Sequence, residues 1–181
     1  MFRDQLEHII RAAGTITDTD SITVVGSQAI LASIEGTPKE LCQSIEADIY
    51  PTFKPHLSDL IDGCIGELSP FHDQFGYYAQ GVGPETSILG AGWQERLVKL
   101  ENKNTKGVTG LCLHPIDITI DITIAKLGAG REKDFSYVEY LMKHSLVSID
   151  EVEKVLGAMC HEKTQLIKDR LSRIKNQLKL A

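Results

Sequence analysis

Residues 44–51, SIEADIYP, constrain the fold more than any other stretch. Ile45 and Ala47 alternate with Glu46 and Asp48, the two-residue period of a β-strand. The two carboxylates then share one face of a sheet, and the apolar pair shares the other. Positions i and i+2 of a strand lie about 7 Å apart. Like charges at that spacing repel by about 2–3 kcal/mol at an effective dielectric of about 20. Such a face is either well solvated or organised around a cation.

The sequence before this strand predicts how it is framed. ITVV is a short apolar run of buried-strand type, Gly26-Ser27 is a turn, and SQAILASI reads as a helix. Upstream, Phe2, Leu6, Ile9, Ile10 and Ala13 follow helical spacing, which Gly14 and TDTDS bring to an end. Downstream, HLSDLIDGCIGEL predicts a helix with Leu57, Leu60, Ile61, Cys64, Ile65 and Leu68 on one side. FGYYAQGV predicts a strand and GPETSILGAG a loop. WQERLVKLEN and GVTGLCL predict a hairpin around NKNTKG.

The tandem IDITIDIT can be read two ways. Its alternation and β-branching fit a strand. Pro115 followed by an acidic residue fits a helix start, which favours a helix from Ile116. The chain then reads as helical to its end. Ser148 and Glu151 form a capping-box pattern. Ile167, Leu171, Ile174 and Leu178 continue an apolar stripe suited to packing on the core or on a second copy. The expected fold is an α/β (α+β) mixed sheet packed by helices. Residues 1–145 would form the main domain and 146–181 a helical extension.

With 181 residues, the chain is long enough for one core of this kind. No apolar run approaches membrane-spanning length, so no membrane partner is expected. The N-terminal MFRDQLEHIIRAAG is too charged for a secretory signal, which predicts a cytoplasmic protein. Four scattered cysteines, without C-x-x-C, argue against a zinc site or a disulfide framework, and Cys112/His114 and Cys160/His161 lack a second ligand pair. The net charge is −6, yet from His161 onward six Lys or Arg face two Asp or Glu. A basic tail on an acidic body suits either a solvated helix or a polyanion such as RNA.

The chemistry resides in the order strand, Gly-Ser, helix, then a strand with paired carboxylates. Backbone N–H groups beyond Gly26 and the Ser27 hydroxyl suit phosphate. Glu46 and Asp48 suit Mg²⁺, a hard cation often held by one or two carboxylates together with substrate phosphates. No G-x-x-x-x-G-K-[ST] loop and no G-x-S-x-G elbow occurs.

The ordered set VVGSQAI, SIEADIYP, GELSPFHDQFGYYAQGV, GWQERL and LCLHP…AKLGAGREKDF covers roughly residues 20–145. It resembles the nucleotidyltransferases of the polymerase-beta superfamily. More narrowly, it is similar to small prokaryotic nucleotidyltransferase-like proteins related to the abortive-infection type IV toxins of toxin–antitoxin pairs. The resemblance implies transfer of a nucleotidyl group from an NTP to an RNA or protein hydroxyl with Mg²⁺. Glu46 and Asp48 would hold metal, and Gly26 and Ser27 would cradle phosphate. Lys126 and Arg131 would meet the phosphate, with Asp134 completing that downstream pattern. Arg131 also falls on the helical face of Ile124, Leu127, Phe135 and Val138, so it must be paired or reach out of the core.

The sequence departs from the superfamily pattern in two places. Glu46 stands where Asp is usual, and no third carboxylate is evident. Glu101 is the first candidate for a third metal ligand, with Asp117 or Asp121 behind it. The rival expectation is a catalytically degenerate member that binds a nucleotide or a cognate protein partner. The C-terminal helices also offer a surface for homo-oligomerisation, if their stripe packs on a second copy rather than on the core.

Overall fold

The protein is described by a computed structural model, which covers residues 1–125, 132–158 and 164–179. Its described residues form two compact units. One comprises Met1–Thr86 with Leu97–His114, the other Ser87–Arg96 with the chain from Pro115 onward.

The first unit is built on a five-stranded mixed sheet. Helix α1 (Arg3–Thr17) leads into β1 (Ser21–Val25). A 3₁₀ helix follows at Ser27–Ala32, then β2 (Glu46–Pro51), α2 (Ser58–Ile65), α3 (Pro70–Phe75) and β3 (Tyr78–Gly81). After α4 (Trp93–Arg96), which belongs to the second unit, come β4 (Val98–Leu100) and β5 (Thr109–Cys112). The strand order is β3-β2-β1-β5-β4. The β1/β5 and β2/β3 pairs are parallel, and the β1/β2 and β4/β5 pairs antiparallel. The expected sheet-and-helix core and the expected hairpin are both present.

The alternation of each strand divides its residues between the two faces of this sheet. One face carries Ile22 and Val24, Ala47 and Ile49, Ala79 and Gly81, Gly110 and Cys112. Helices α1 and α2 pack there, and two glycines allow their close approach. A Cβ on Gly110 would meet Ile10 Cδ1 at 2.6 Å, and one on Gly81 would collide with the Ser58 backbone carbonyl. Ser58 Oγ also donates to the Val82 carbonyl at 2.8 Å, tying α2 to the end of β3. The other face carries Glu46, Asp48 and Tyr50, flanked by Thr23 and Val25 on β1 and by Tyr78 and Gln80 on β3.

Several local expectations are corrected. Phe2 precedes α1 and is exposed, and the helix runs on to Thr17, where Asp18 turns left-handed (φ 48°). The segment after Gly26-Ser27 is 3₁₀ rather than α-helical. Ile45 lies before β2 and is exposed, so Ala47 alone of that pair is buried. Helix α2 stops at Ile65, so only Ile61 and Ile65, one turn apart, reach the core. Leu60, Cys64 and Leu68 are exposed. WQER is helix α4, and the hairpin strand begins only at Val98.

The second unit is helical: α4, α5 (Pro115–Ala125), α6 (Glu132–Lys143), α7 (Ile149–Gly157) and α8 (Thr164–Lys179). The tandem IDIT is a helix, as Pro115 suggests. Residues 116–122 are all buried, so polar and apolar side chains alike point into packed surroundings. The capping box forms: Ser148 Oγ accepts from the Glu151 N–H at 3.1 Å, and Glu151 Oε2 accepts from the Ser148 N–H at 3.2 Å. Leu171 and Ile174 of the C-terminal stripe are buried. The side chains of Ile167 and Leu178 lie outside the description. No described helix is long and apolar enough to cross a membrane.

Candidate functional site

The site is built at the end of the sheet where β1 finishes and β2 starts. Val25, the last residue of β1, pairs with Asp48, so the following Gly26 turns directly beside the Asp48 side chain. Gly26 has φ 66° and ψ −169°, a region open essentially only to glycine. A Cβ there would also collide with Asp48 Oδ2. The backbone conformation therefore demands glycine, and the missing Cβ lets the Gly-Ser turn lie against a carboxylate. Gln28 anchors the turn from behind. It is 2% exposed, and its amide donates to the Leu41 carbonyl at 3.3 Å and to Ser27 Oγ at 3.4 Å.

Glu46 and Asp48 are half-buried and share the sheet face expected of them. Ser44 Oγ accepts from the Glu46 N–H at 3.1 Å, fixing the start of the strand. On the neighbouring strand, Tyr78 stands directly opposite Glu46, and its hydroxyl donates to Glu46 Oε2 at 3.2 Å. The Tyr78 phenol is pushed up to about 12, first by burial, then by the charge and hydrogen bond of Glu46, then by Glu67 and Asp48. The charges of these three carboxylates thus disfavour ionisation of the phenol. Its ring packs on that of His72, centroids 4.6 Å apart.

The other expected residues are placed elsewhere. Glu101 follows β4, at the sheet edge and separated from β2 by β1 and β5. The register sets it near Thr109 and Ser21, at the end opposite Asp48. There it pairs with Lys99 at 2.6 Å and accepts from Thr109 Oγ1 at 2.8 Å, which together hold its carboxyl below the usual range. The strand register therefore corrects the expectation that Glu101 joins Glu46 and Asp48.

Asp117 and Asp121 are buried and engaged within the second unit. Asp117 accepts a bidentate pair from Arg96, Nε at 2.9 Å and Nη2 at 2.7 Å. Asp121 accepts from Ser87 Oγ at 3.1 Å and the Ile88 N–H at 2.9 Å. Lys126 and Arg131 lie outside the described residues. Asp134 falls within α6, but its side chain is outside the description.

Among the described residues, no group of three or more His, Cys, Asp or Glu side chains is arranged to hold a metal. Burial pushes the Cys112 thiol up to about 12, which suits a packed core thiol rather than a thiolate ligand. A cavity of about 520 Å³, lined by Ser21, Phe53, Lys54, Lys106, Asp18 and Asp20, lies at the far end of the sheet and contains none of the expected residues.

Tyr78, Glu67 and Gln28 are the residues that sequence reasoning missed. Only Gln28 had a local signal, since it directly follows Gly-Ser. Chemically, the site offers two half-buried carboxylates, one of them seated against a turn whose missing Cβ leaves room for it. That donor set fits a hard divalent cation completed by phosphate oxygens.

A family model described as "Nucleotidyltransferase of unknown function (DUF6036)" matches residues 4–179. No curated protein and no solved structure matches the chain.

Proposed function

The chain belongs to this nucleotidyltransferase family, and from that premise we propose that it transfers a nucleotidyl group from an NTP to an acceptor hydroxyl on RNA or protein, releasing pyrophosphate and the hydroxyl proton. The observation that carries the reading is the packing of the Gly26 turn against Asp48, with Glu46 on the same sheet face. Glu46 and Asp48 would hold Mg²⁺, while the turn at Gly26 and Ser27 would take the phosphate tail. Bound there, the cation would neutralise phosphate charge and favour the nucleophilic form of the acceptor hydroxyl. The turn's part is to hold the phosphorus in line with the acceptor through its backbone N–H groups and the Ser27 hydroxyl. Lys126 and Arg131 are proposed to complete the phosphate contacts.

The lack of a third carboxylate with Glu46 and Asp48 among the described residues favours a second reading. In it, the chain binds a metal–nucleotide or a protein partner without turnover, as part of a toxin–antitoxin or defence pair. Incubation with each labelled NTP, Mg²⁺ and total RNA or protein extract separates the two. Labelled macromolecule that vanishes on chelation supports transfer. Nucleotide retention without any labelled product supports the binder.

A further inference from the structure

We infer that Tyr78 is the positioning residue for Glu46, holding the longer carboxylate in the place from which it can share a cation with Asp48. The inference rests on the metal–nucleotide reading above.

Glu46 carries one more methylene than Asp48, and so one more torsion to fix. On an open strand end its carboxylate would sample several rotamers, and the entropy of ordering it would be lost when a ligand binds. The structure supplies a restraint. β3 runs parallel to β2 with Tyr78 directly opposite Glu46, so both side chains rise from the same face. The tyrosine hydroxyl reaches Glu46 Oε2 at 3.2 Å.

Tyr78 is itself held in place. Its ring packs on His72, and the imidazole Nδ1 of His72 accepts from the Leu68 N–H at 3.1 Å. Ser69 Oγ caps the same short helix by accepting from the His72 N–H at 3.2 Å. A chain of contacts thus runs from the α2–α3 connection through His72 and Tyr78 to one oxygen of Glu46. Hydrogen-bonded partners behind a ligand fix its orientation in this way, and their loss typically weakens metal binding about 10–100-fold.

The test is calorimetric titration of Mn²⁺ in the presence of inorganic triphosphate, which carries the phosphate tail common to every NTP. It is run on the full chain, alongside a melting curve without metal. Tyr78→Phe keeps the ring on His72 and removes only the hydroxyl. It should weaken Mn²⁺ binding about tenfold, the lower end of that range, and leave the melting midpoint nearly unmoved. Glu46→Asp shortens the side chain away from the hydroxyl, so in that background Tyr78→Phe should change nothing further. A purely structural role for Tyr78 would not give this conditional effect. If the parent binds Mn²⁺ and Tyr78→Phe binds equally well, or if the loss persists unchanged in the Glu46→Asp background, the positioning role is overturned while the metal reading stands. If the parent binds no Mn²⁺ with triphosphate, the metal reading falls and the positioning role with it.

Discussion

Two acidic pairs, Glu46/Asp48 and Asp117/Asp121, look alike in sequence and end in opposite environments. Both interrupt Ile-rich runs, and each offered a possible metal ligand. Asp117 and Asp121 lie one turn apart on a helix buried on all sides, and each accepts from donors of the 87–96 segment. Glu46 and Asp48 lie on one face of a strand, half-buried, beside a turn that only glycine can make. A buried carboxylate must be matched by donors when the chain folds, because desolvation leaves no alternative. A half-buried pair keeps part of its hydration, so folding does not by itself require every oxygen to be matched. The contrast separates a carboxylate that the fold must match from one proposed as a ligand better than residue type does.

The sharpest way to break the comparison is Arg96→Ala. It strips a bidentate partner from the fully buried Asp117, and breaking such a pair costs about 3–5 kcal/mol. Because the Arg96 side chain is 25% exposed, about 3 kcal/mol is expected, read from denaturant unfolding. Glu46→Gln, which relieves repulsion in the absence of metal, should leave the same unfolding curve nearly unchanged. Equal effects of the two substitutions would erase the distinction between the pairs.

Gly26→Ala comes next. Strain at a non-glycine residue forced into this region costs about 1–3 kcal/mol, and the added methyl also strikes Asp48 Oδ2. Stability should fall by an amount of that order, and triphosphate-dependent Mn²⁺ binding should be lost. Adding Asp48→Ala removes the collision but not the backbone strain, so it should recover only part of the stability.

A smaller effect concerns Tyr78 in alkaline titration, followed by the ultraviolet absorbance of phenolate. Its folded value of about 12 lies above the ordinary value of 10. A raised value means that its contribution to stability is intact below pH 10 and is lost as the pH climbs from 10 through 12. In Glu46→Gln, one neighbouring negative charge is gone, so Tyr78 should titrate at lower pH than in the parent. No shift would mean that the two groups do not interact. The smallest expected effect is that of Glu101→Gln: its exposed pairing with Lys99 lies at the far end of the sheet, so Mn²⁺ binding with triphosphate should match the parent.

Much of this was legible in the sequence, and the parts that were not share a physical cause. Single-strand periodicity predicted that Glu46 and Asp48 share a face, because a strand's alternation is set by its own backbone. It could not predict Tyr78, 32 residues further on, because that contact depends on the parallel pairing of β2 with β3 across two helices. The same limit misplaced Glu101, whose distance from Asp48 is set by strand order. The IDIT repeat was ambiguous because its alternating pattern serves a strand, whereas here every side of a buried helix is packed. Arg96 was overlooked because WQER was read as strand; as a helical turn it carries the guanidinium that Asp117 needs. Leu60 and Leu68 had helical spacing but no helix long enough to turn them inward.

The central claim is that Glu46 and Asp48 form the metal–nucleotide site of this nucleotidyltransferase-family chain. Equilibrium dialysis of each labelled NTP against the parent and the Glu46→Gln/Asp48→Asn double variant, with and without Mg²⁺, tests it most directly. The account predicts that at least one NTP binds the parent only with Mg²⁺, and that the double variant, equally stable, loses that binding. Mg²⁺-dependent binding that survives in the double variant, or binding indifferent to Mg²⁺ in the parent, would contradict it.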